Sequence, residues 1–164
     1  MKNKMAVAVI AGLLLSQAGC LGGGQDEAHV WNSDSMQTVC EAVEQVSPME
    51  DHRTLEDADL EGEFGLDEDL VESFMGETSG TVSDGGVILL LHTEDGAAAK
   101  IREQLEAYRQ EKVQYYANYE EFETAQENTG QARIRSSGNY VIYVAASDGE
   151  DYPEIDRVLD QYFD

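Results

Sequence analysis

Apolar residues recur along this chain at spacings that distinguish helices from strands. In the stretch MQTVCEAVEQV they follow one another at steps of three and four: Met36, Val39, Val43 and Val46. This spacing puts the apolar side chains on one face and predicts a helix over about residues 35 to 46. Ser47 and Pro48 end the pattern, and an acidic connecting region follows to about Asp69.

The stretch GGVILLLHT contains an unbroken apolar run from Val87 to Leu91. It predicts a strand that is covered on both faces, or on one face and part of the other. Thr93 or Asp95 can cap the helix that follows. Helical spacing then continues, with an interruption at Lys112, through Ile101, Leu105, Tyr108, Tyr115, Tyr119 and Phe122. We expect a long amphipathic helix that bends or restarts near Asn118.

A hairpin is predicted by ARIRSSGNYVIYVAAS, in which Ile134 leads into a turn at residues 136 to 139 and a β-rich run from Tyr140 to Ala146. The glycine or the asparagine of this turn supplies the left-handed residue. Pro153 suits the first turn of a closing helix. The apolar face of that helix consists of Ile155, Val158, Leu159 and Tyr162.

The first twenty residues, MKNKMAVAVIAGLLLSQAGC, have the order of a bacterial secretion signal: lysines, an apolar run from Met5 to Leu15, then small residues. As a helix this run rises only about 16 Å, well short of the roughly 30 Å of a bilayer's hydrocarbon. The end of the signal, Ala18-Gly19-Cys20, resembles a lipobox, the motif at which bacterial lipoproteins are diacylated on a cysteine and cleaved before it. Gln17 replaces the aliphatic residue that is usual three places before the cysteine. The sequence therefore predicts a lipoprotein signal peptide over residues 1 to 19 and a lipid on Cys20.

Two acyl chains hold a protein stably at a membrane, whereas one chain gives marginal binding. We accordingly expect residues 20 to 34 to be the lipidated cysteine and a flexible tether, and residues 35 to 164 to be a single α+β domain. The expected location is the extracytoplasmic face of the cell membrane. A plain secretory signal with a chance cysteine at position 20 is the alternative.

The chain has 34 acidic and 10 basic residues, a formal charge of −24, which becomes −26 when a signal containing Lys2 and Lys4 is removed. This charge excludes nucleic acid as a natural partner, because binding phosphates requires clustered lysine and arginine. It also disfavours direct adsorption to anionic lipid. Solubility is the simplest role of the charge, and attraction to cations or to an envelope protein with a basic patch is the other.

Three segments resemble the domain of unknown function 4358 family, small lipoproteins of Gram-positive bacteria: FGLDEDLVESFMGE, GGVILLLHTEDGAAAKIREQLEAYRQEKVQYYANYEEF and NTGQARIRSSGNYVIYVAASDGEDYPEI. The likeness covers about residues 35 to 164 and implies that residues 69 to 78 form a strand of a first hairpin. It implies an α+β fold in the order α-β-β-α-β-β-α. Helices would pack on an antiparallel sheet of about four strands in two hairpins. The family carries no established activity.

The stretch DADLEGEFGLDE has the ligand spacing of an EF-hand calcium loop, with Asp57, Asp59, Glu61, Gly62 and Glu68 at loop positions 1, 3, 5, 6 and 12. The side chain at position 5, Glu61, is longer than usual. The preceding segment lacks the apolar stripe of an entering helix, and the motif has no second copy. We therefore expect an acidic surface, with calcium binding as the alternative.

No residue spacing specifies a reaction. His29, His52 and His92 lie far apart, and HExxH, CxxC and GxSxG do not occur, so the sequence predicts no catalytic residue, cofactor or metal site. Lipidation of Cys20 would leave Cys40 without an intramolecular disulfide partner. Cys40 is expected to be a half-buried small residue, with an intermolecular disulfide or a reactive thiol as alternatives.

Tyr115, Tyr116, Tyr119 and Phe122 either pack against the sheet or form a binding platform for a sugar or peptide. Helical spacing favours packing, with Tyr116 as the most exposed of the four. The leading hypothesis is a non-enzymatic, membrane-anchored binding or interaction module. An envelope-acting hydrolase and a calcium-responsive adhesion or scaffold element are the alternatives.

Overall fold

The structure is a computed structural model and describes residues 31 to 163. The described chain contains five helices and five strands. In order they are α1 (Ser33–Val46), β1 (His52–Thr54), α2 (Asp57–Gly62), β2 (Val71–Ser79), β3 (Val87–Thr93), α3 (Ala98–Tyr116), α4 (Glu123–Gly130), β4 (Arg133–Ser137), β5 (Tyr140–Ala145) and α5 (Tyr152–Leu159). In this part of the chain no helix is both long and apolar enough to cross a membrane.

The described strands form one antiparallel sheet in the order β1-β2-β3-β5-β4. β2 and β3 are one hairpin, β4 and β5 are the other, and pairing of β3 with β5 joins the two hairpins at the centre. Leu90 lies opposite Ile142 in this central pair. The predicted α+β class and the order of hairpins and main helices are confirmed. The sheet, however, has five strands rather than about four.

The additional strand is β1, in the segment that the sequence pattern left as an acidic connection. All three of its side chains are exposed, so no alternation of apolar and polar residues marks it. Its backbone pairs with β2, which sets Arg53 opposite Thr78. The Arg53 guanidinium also donates hydrogen bonds to Asp59 (2.7 and 3.1 Å) and Glu63 (2.9 Å), and so joins β1 to the α2 region.

Both faces of the sheet are covered by helices. On one face α2 and α3 enclose a core that includes Leu89, Leu91 and Tyr143. On the other face α1 and α5 enclose a core that includes Leu90 and Ile142. Alternate side chains of a strand point to opposite faces, so a strand covered on both faces is apolar throughout. The predicted strand covered on both faces is confirmed in β3, where all five side chains of the apolar run from Val87 to Leu91 are buried.

The long helix ends at Tyr116, and α4 begins after a 3-10 turn, Glu120–Phe122. This agrees with the restart expected near Asn118, whose side-chain amide donates to the carbonyl oxygens of Gln114 (2.8 Å) and Tyr115 (3.3 Å). The bond to Gln114 occupies a carbonyl group that a helix end can leave without a partner, whereas the Tyr115 carbonyl also accepts the Asn118 backbone N–H (3.2 Å).

The predicted cap of α3 is wrong, because the helix starts at Ala98 and its N-cap, Ala97, makes no side-chain hydrogen bond. Thr93 and Asp95 instead bind Asn139 in the second hairpin's turn. The Thr93 hydroxyl donates to the Asn139 carbonyl (3.0 Å), and the Asn139 amide donates to the Asp95 carboxylate (2.6 Å). The left-handed residue of that turn is Gly138, at φ +57°.

Candidate functional site

Cys20, the predicted lipidation site, lies outside the described residues, as do the predicted signal peptide and His29. The remaining candidates lie within residues 31 to 163. Aromatic or ionisable side chains cluster after α3, in a cavity beneath α1 and in a groove along β4.

The stretch from Asp57 to Glu68 does not have the geometry of an EF-hand loop. Its first six residues form the helix α2, whereas an EF-hand wraps these positions around the ion. Asp59 accepts hydrogen bonds from Arg53 and from the Glu56 backbone N–H (2.7 Å). Because the Arg53 hydrogen bond favours the charged form, the pKa of Asp59 is lowered. This carboxylate therefore stabilises the start of α2.

Aromatic side chains gather where α3 meets the following turn. The ring centroids of the contacting pairs lie 5.4 to 6.3 Å apart, among Tyr115, Tyr116, Tyr119 and Phe122. Tyr115 is 47% exposed and Tyr119 is 44% exposed, whereas Tyr116 is buried. The expectation that Tyr116 would be the most exposed is therefore wrong.

The reason is that Lys112 belongs to the buried stripe of α3. Its ammonium group lies 5.4 Å from the Tyr108 ring centroid and 3.8 Å from the Glu63 carboxylate, so its alkyl chain covers the apolar face. The stripe then continues by one turn to Tyr116. Tyr115 consequently points away from the core, and burial raises the pKa of Tyr116.

Carboxylates accompany the two exposed tyrosines. Glu120, Glu121 and Glu123 lie beside Tyr119 and Phe122 in the chain and are exposed. We call Tyr115, Tyr119, Phe122 and these three glutamates the aromatic patch. Aromatic faces and carboxylates both attract lysine and arginine side chains, through cation–π contacts and ion pairs. The patch therefore has the chemistry to receive a basic surface.

A cavity of about 240 Å³ lies between α1 and β2 and is lined by Cys40, Glu44 and Glu77 among others. Beside it, His52 of β1 approaches the same glutamates. One ligand atom from each of Glu44, His52 and Glu77 lies within 4.8 Å of the other two. No sequence motif predicts this group, because its three residues belong to α1, β1 and β2, which are separate along the chain.

Cys40 is half-buried in the wall of this cavity, as expected from the pattern of α1. The pKa of the Cys40 thiol is raised to about 12. The main cause is burial, and the second is the negative charge of Glu77. The thiolate is the reactive form of cysteine, so this thiol is poorly suited to nucleophilic chemistry at neutral pH.

His92 has a different environment at the other end of β2. Its Nδ1 atom lies 3.0 Å from Glu72, and its ring stacks on Tyr140 with centroids 4.4 Å apart. Tyr140 stacks in turn on Trp31 (4.5 Å).

The described residues, 31 to 163, contain one group of three histidine, cysteine or carboxylate side chains whose ligand atoms all lie within 4.8 Å of one another. That group is Glu44, His52 and Glu77.

The groove along β4 has a volume of about 520 Å³ and faces α3. Four arginines line it: Arg102, Arg109, Arg133 and Arg135. Each guanidinium already contacts a protein group; Arg133, for example, donates two hydrogen bonds to Asp156 (2.7 and 2.9 Å) and lies over the Tyr152 ring. These arginines hold β4 against α3 and α5.

The fold and these surfaces define a small α+β domain with helices on both faces of a five-stranded antiparallel sheet. A family model described as a domain of unknown function, DUF4358, matches residues 32–146. The match spans more than two thirds of the chain, from α1 through β5, and the chain belongs to this family. No curated protein and no solved structure matches it.

Proposed function

We propose that this protein is a lipid-anchored binding module on the extracytoplasmic face of the cell membrane. Its anchor is the pair of acyl chains on Cys20, and its partner is an envelope protein with a basic patch. The order of lysines, apolar run and small residues before Cys20 supports the anchor. The exposure of Tyr115 and Tyr119 among carboxylates is the observation that supports the mode of binding.

The aromatic patch has the properties of a protein-binding hot spot. Tyrosine and arginine are enriched among residues that dominate binding energy, and they act best on well-packed supports. Tyr115 and Tyr119 are held by contacts with each other and with Phe122, so little side-chain freedom is lost on binding. The adjacent glutamates select a partner that presents lysine or arginine.

Charge and tethering act together in this proposal. The acidic surface accelerates encounter with a basic partner, and this attraction weakens as salt rises. The tether confines the domain near the membrane, which raises its effective concentration for neighbouring proteins. A modest affinity is therefore sufficient for function.

Three ionisable side chains, those of Asp59, Asp156 and Cys40, are poorly suited to the chemistry of an envelope-acting hydrolase. Hydrogen bonds from arginine lower the pKa values of Asp59 and Asp156, and burial raises the pKa of Cys40. General acids, general bases and thiol nucleophiles require pKa values near the working pH. These groups are shifted away from that range.

The anchor is tested by labelling cells with a fatty-acid probe and separating membrane from soluble material. Wild-type protein is expected to carry the label and to fractionate with membranes. Cys20→Ala is expected to lose both properties. Unlabelled wild-type protein in the medium would refute the anchor.

The binding surface is tested by mild crosslinking in intact cells at low salt, followed by identification of captured proteins. Tyr115→Ala/Tyr119→Ala is expected to abolish capture of a reproducible partner, and Glu120→Gln/Glu121→Gln to weaken it. Glu68→Gln/Glu94→Gln is the matched control, because it removes the same charge from exposed sites outside the patch. Equal losses in both glutamate pairs would indicate long-range attraction alone, and unchanged capture in the tyrosine variant would place the interface elsewhere.

A further inference from the structure

The Glu44, His52 and Glu77 side chains come from α1, β1 and β2. Pairing of β1 with β2 sets His52 opposite Ser79, two residues from Glu77, so His52 and Glu77 are diagonal neighbours on one face of the sheet. α1 crosses that face and brings Glu44 to the same place. The three side chains are thus positioned by elements whose backbones are fixed by the fold.

The His52 ring is oriented for ligation. Its Nδ1 atom lies 3.2 Å from the Met49 carbonyl oxygen, and its Nε2 atom lies 3.5 Å from Glu77 Oε2. Histidines that bind metals commonly donate one ring N–H to a carbonyl and turn the other nitrogen toward the ion. The contact with Met49 leaves Nε2 directed at the glutamate.

One oxygen of the Glu77 carboxylate is free to accept a further contact. Its Oε2 atom is buried and accepts no hydrogen bond from the described residues. The Glu77 side chain is 30% exposed, so a cation can reach this oxygen from the surface. Its ion-pair partner is the His52 ring, whose Nε2 atom lies 3.5 Å away.

We propose that Glu44, His52 and Glu77 form a binding site for a divalent transition-metal ion, with zinc as the reference ion. One nitrogen and two carboxylate oxygens match the ligands of three-residue zinc sites, in which water or another ligand takes the fourth position. Ligand atoms in a tetrahedral zinc site are about 3.3 Å apart. The three ligand atoms lie within 4.8 Å of one another, and rotation of the two glutamate side chains on metal binding would shorten these separations to that value.

The ligand set also indicates which ions are excluded. Calcium and magnesium prefer all-oxygen sites, calcium with six to eight ligands, whereas imidazole favours zinc, copper, iron and nickel. This site is therefore distinct from the EF-hand-like spacing at residues 57 to 68. An ion here would tie α1 to both strands at one edge of the sheet.

The proposal does not depend on the anchor or on a protein partner, and it is tested on the full chain in mild detergent. Zinc is titrated calorimetrically in moderate salt with excess magnesium, and the melting temperature is followed in parallel. One ion per chain is expected to bind, with a melting temperature that rises with zinc concentration by mass action. Cobalt(II) in place of zinc is expected to give the visible absorption of a nitrogen- and oxygen-ligated ion.

His52→Asn and Glu77→Gln are expected to abolish both the one-to-one binding and the cobalt spectrum. His92→Asn is the matched control, because His92 also pairs with a glutamate of β2 but lies outside this group. It is expected to bind zinc as the wild type does. Circular dichroism of the metal-free variants separates loss of the site from loss of the fold.

Weak binding of several zinc ions that is unchanged by His52→Asn would overturn the proposal, since it would reflect the acidic surface alone. Equal loss in His92→Asn and His52→Asn would overturn it as well. An effect of calcium equal to that of zinc would contradict the assigned class of ion.

Discussion

The centre and the edges of the sheet are stabilised by different interactions. The central strands β3 and β5 are almost entirely buried, with apolar side chains on both faces. The edge strands β1 and β4 have no fully buried side chain. They are held by backbone pairing and by arginine ion pairs, namely Arg53 with Asp59 and Arg133 with Asp156.

The centre of the sheet supplies stability, whereas the edges protect the sheet from pairing with another chain. Apolar burial is proportional to area and non-directional, so the centre supplies most of the folding energy. An exposed edge strand is a template for pairing with another chain, and charged side chains on it oppose that pairing. The arginines at both edges thus contribute modest stability while keeping the sheet from extending.

The largest expected effect is at the centre. Leu90 is fully buried beneath α1 and α5, so Leu90→Ala is expected to lower the free energy of unfolding by about 2 to 5 kcal/mol. Chemical denaturation measures this change. Val82→Ala is the control, because Val82 is 55% exposed and should change stability by less than about 0.5 kcal/mol. A loss of that small size at both Leu90 and Ile142 would contradict the central pairing.

The next largest effect is where β5 ends. The Tyr152 hydroxyl donates to the Asn128 carbonyl oxygen and accepts from the Ala146 N–H (3.1 Å). Tyr152→Phe leaves the buried Ala146 N–H without its partner and removes one of two hydrogen bonds to the Asn128 carbonyl, which also accepts from the Gln131 N–H (3.1 Å), so it is expected to cost about 1 to 3 kcal/mol. Tyr119→Phe, at an exposed ring, should leave the same denaturation midpoint nearly unchanged. Equal shifts in the two variants would contradict the hydrogen-bonded role of Tyr152.

At the β4 edge, Asp156→Asn is expected to cost about 1 kcal/mol at neutral pH, because the Arg133 ion pair is partly exposed. The Arg133 hydrogen bond lowers the pKa of Asp156. Its contribution is therefore complete above the ordinary carboxyl pKa, about 3.9, and is lost as pH falls through the lowered value. Unfolding free energies of wild type and variant should converge in strong acid. Asp160→Asn, which changes a carboxylate 67% exposed, is the control and should alter the unfolding free energy at neutral pH by less than about 0.5 kcal/mol.

The smallest effect is expected at the β1 edge. Arg53 is 47% exposed, so Arg53→Ala should change the global free energy of unfolding by only about 0.5 kcal/mol. Its local effect should be clearer, since β1 loses its link to α2. Hydrogen exchange of the β1 and β2 backbone amides is expected to accelerate while β3 and β5 stay protected. Acceleration across all four strands would contradict an edge held independently of the centre.

The same contrast explains what the sequence predicts well. β3 and β5 are evident as apolar runs, because strands buried on both faces require apolar residues at every position. β1 is not, because His52, Arg53 and Thr54 all face solvent and their pairing depends on backbone atoms. Sequence patterns therefore report burial, and they miss a strand whose side chains are exposed.

The candidate sites follow the same rule. The aromatic residues and the exposed glutamates near Asn118 are visible as neighbours in sequence. Tyr116 rather than Tyr115 is buried because the inward stripe of α3 runs through Lys112, which is half-buried and lies over the Tyr108 ring despite its charge. Glu44, His52 and Glu77 meet only through the β1–β2 register and the position of α1. No spacing along the chain carries that information.

The first and last described helices close the same face of the sheet, and the Trp31 and Phe163 rings lie 5.0 Å apart. Among the described helices α1 is synthesised first and α5 last. The apolar stripe of α1 is therefore fully covered only after α5 has been synthesised. A chain that is cut or stalled before Tyr152 keeps Ile142 and its neighbours on that face incompletely covered. Such a chain presents a continuous apolar surface to proteases and chaperones. Closure of this face of the sheet therefore depends on α5 as much as on α1.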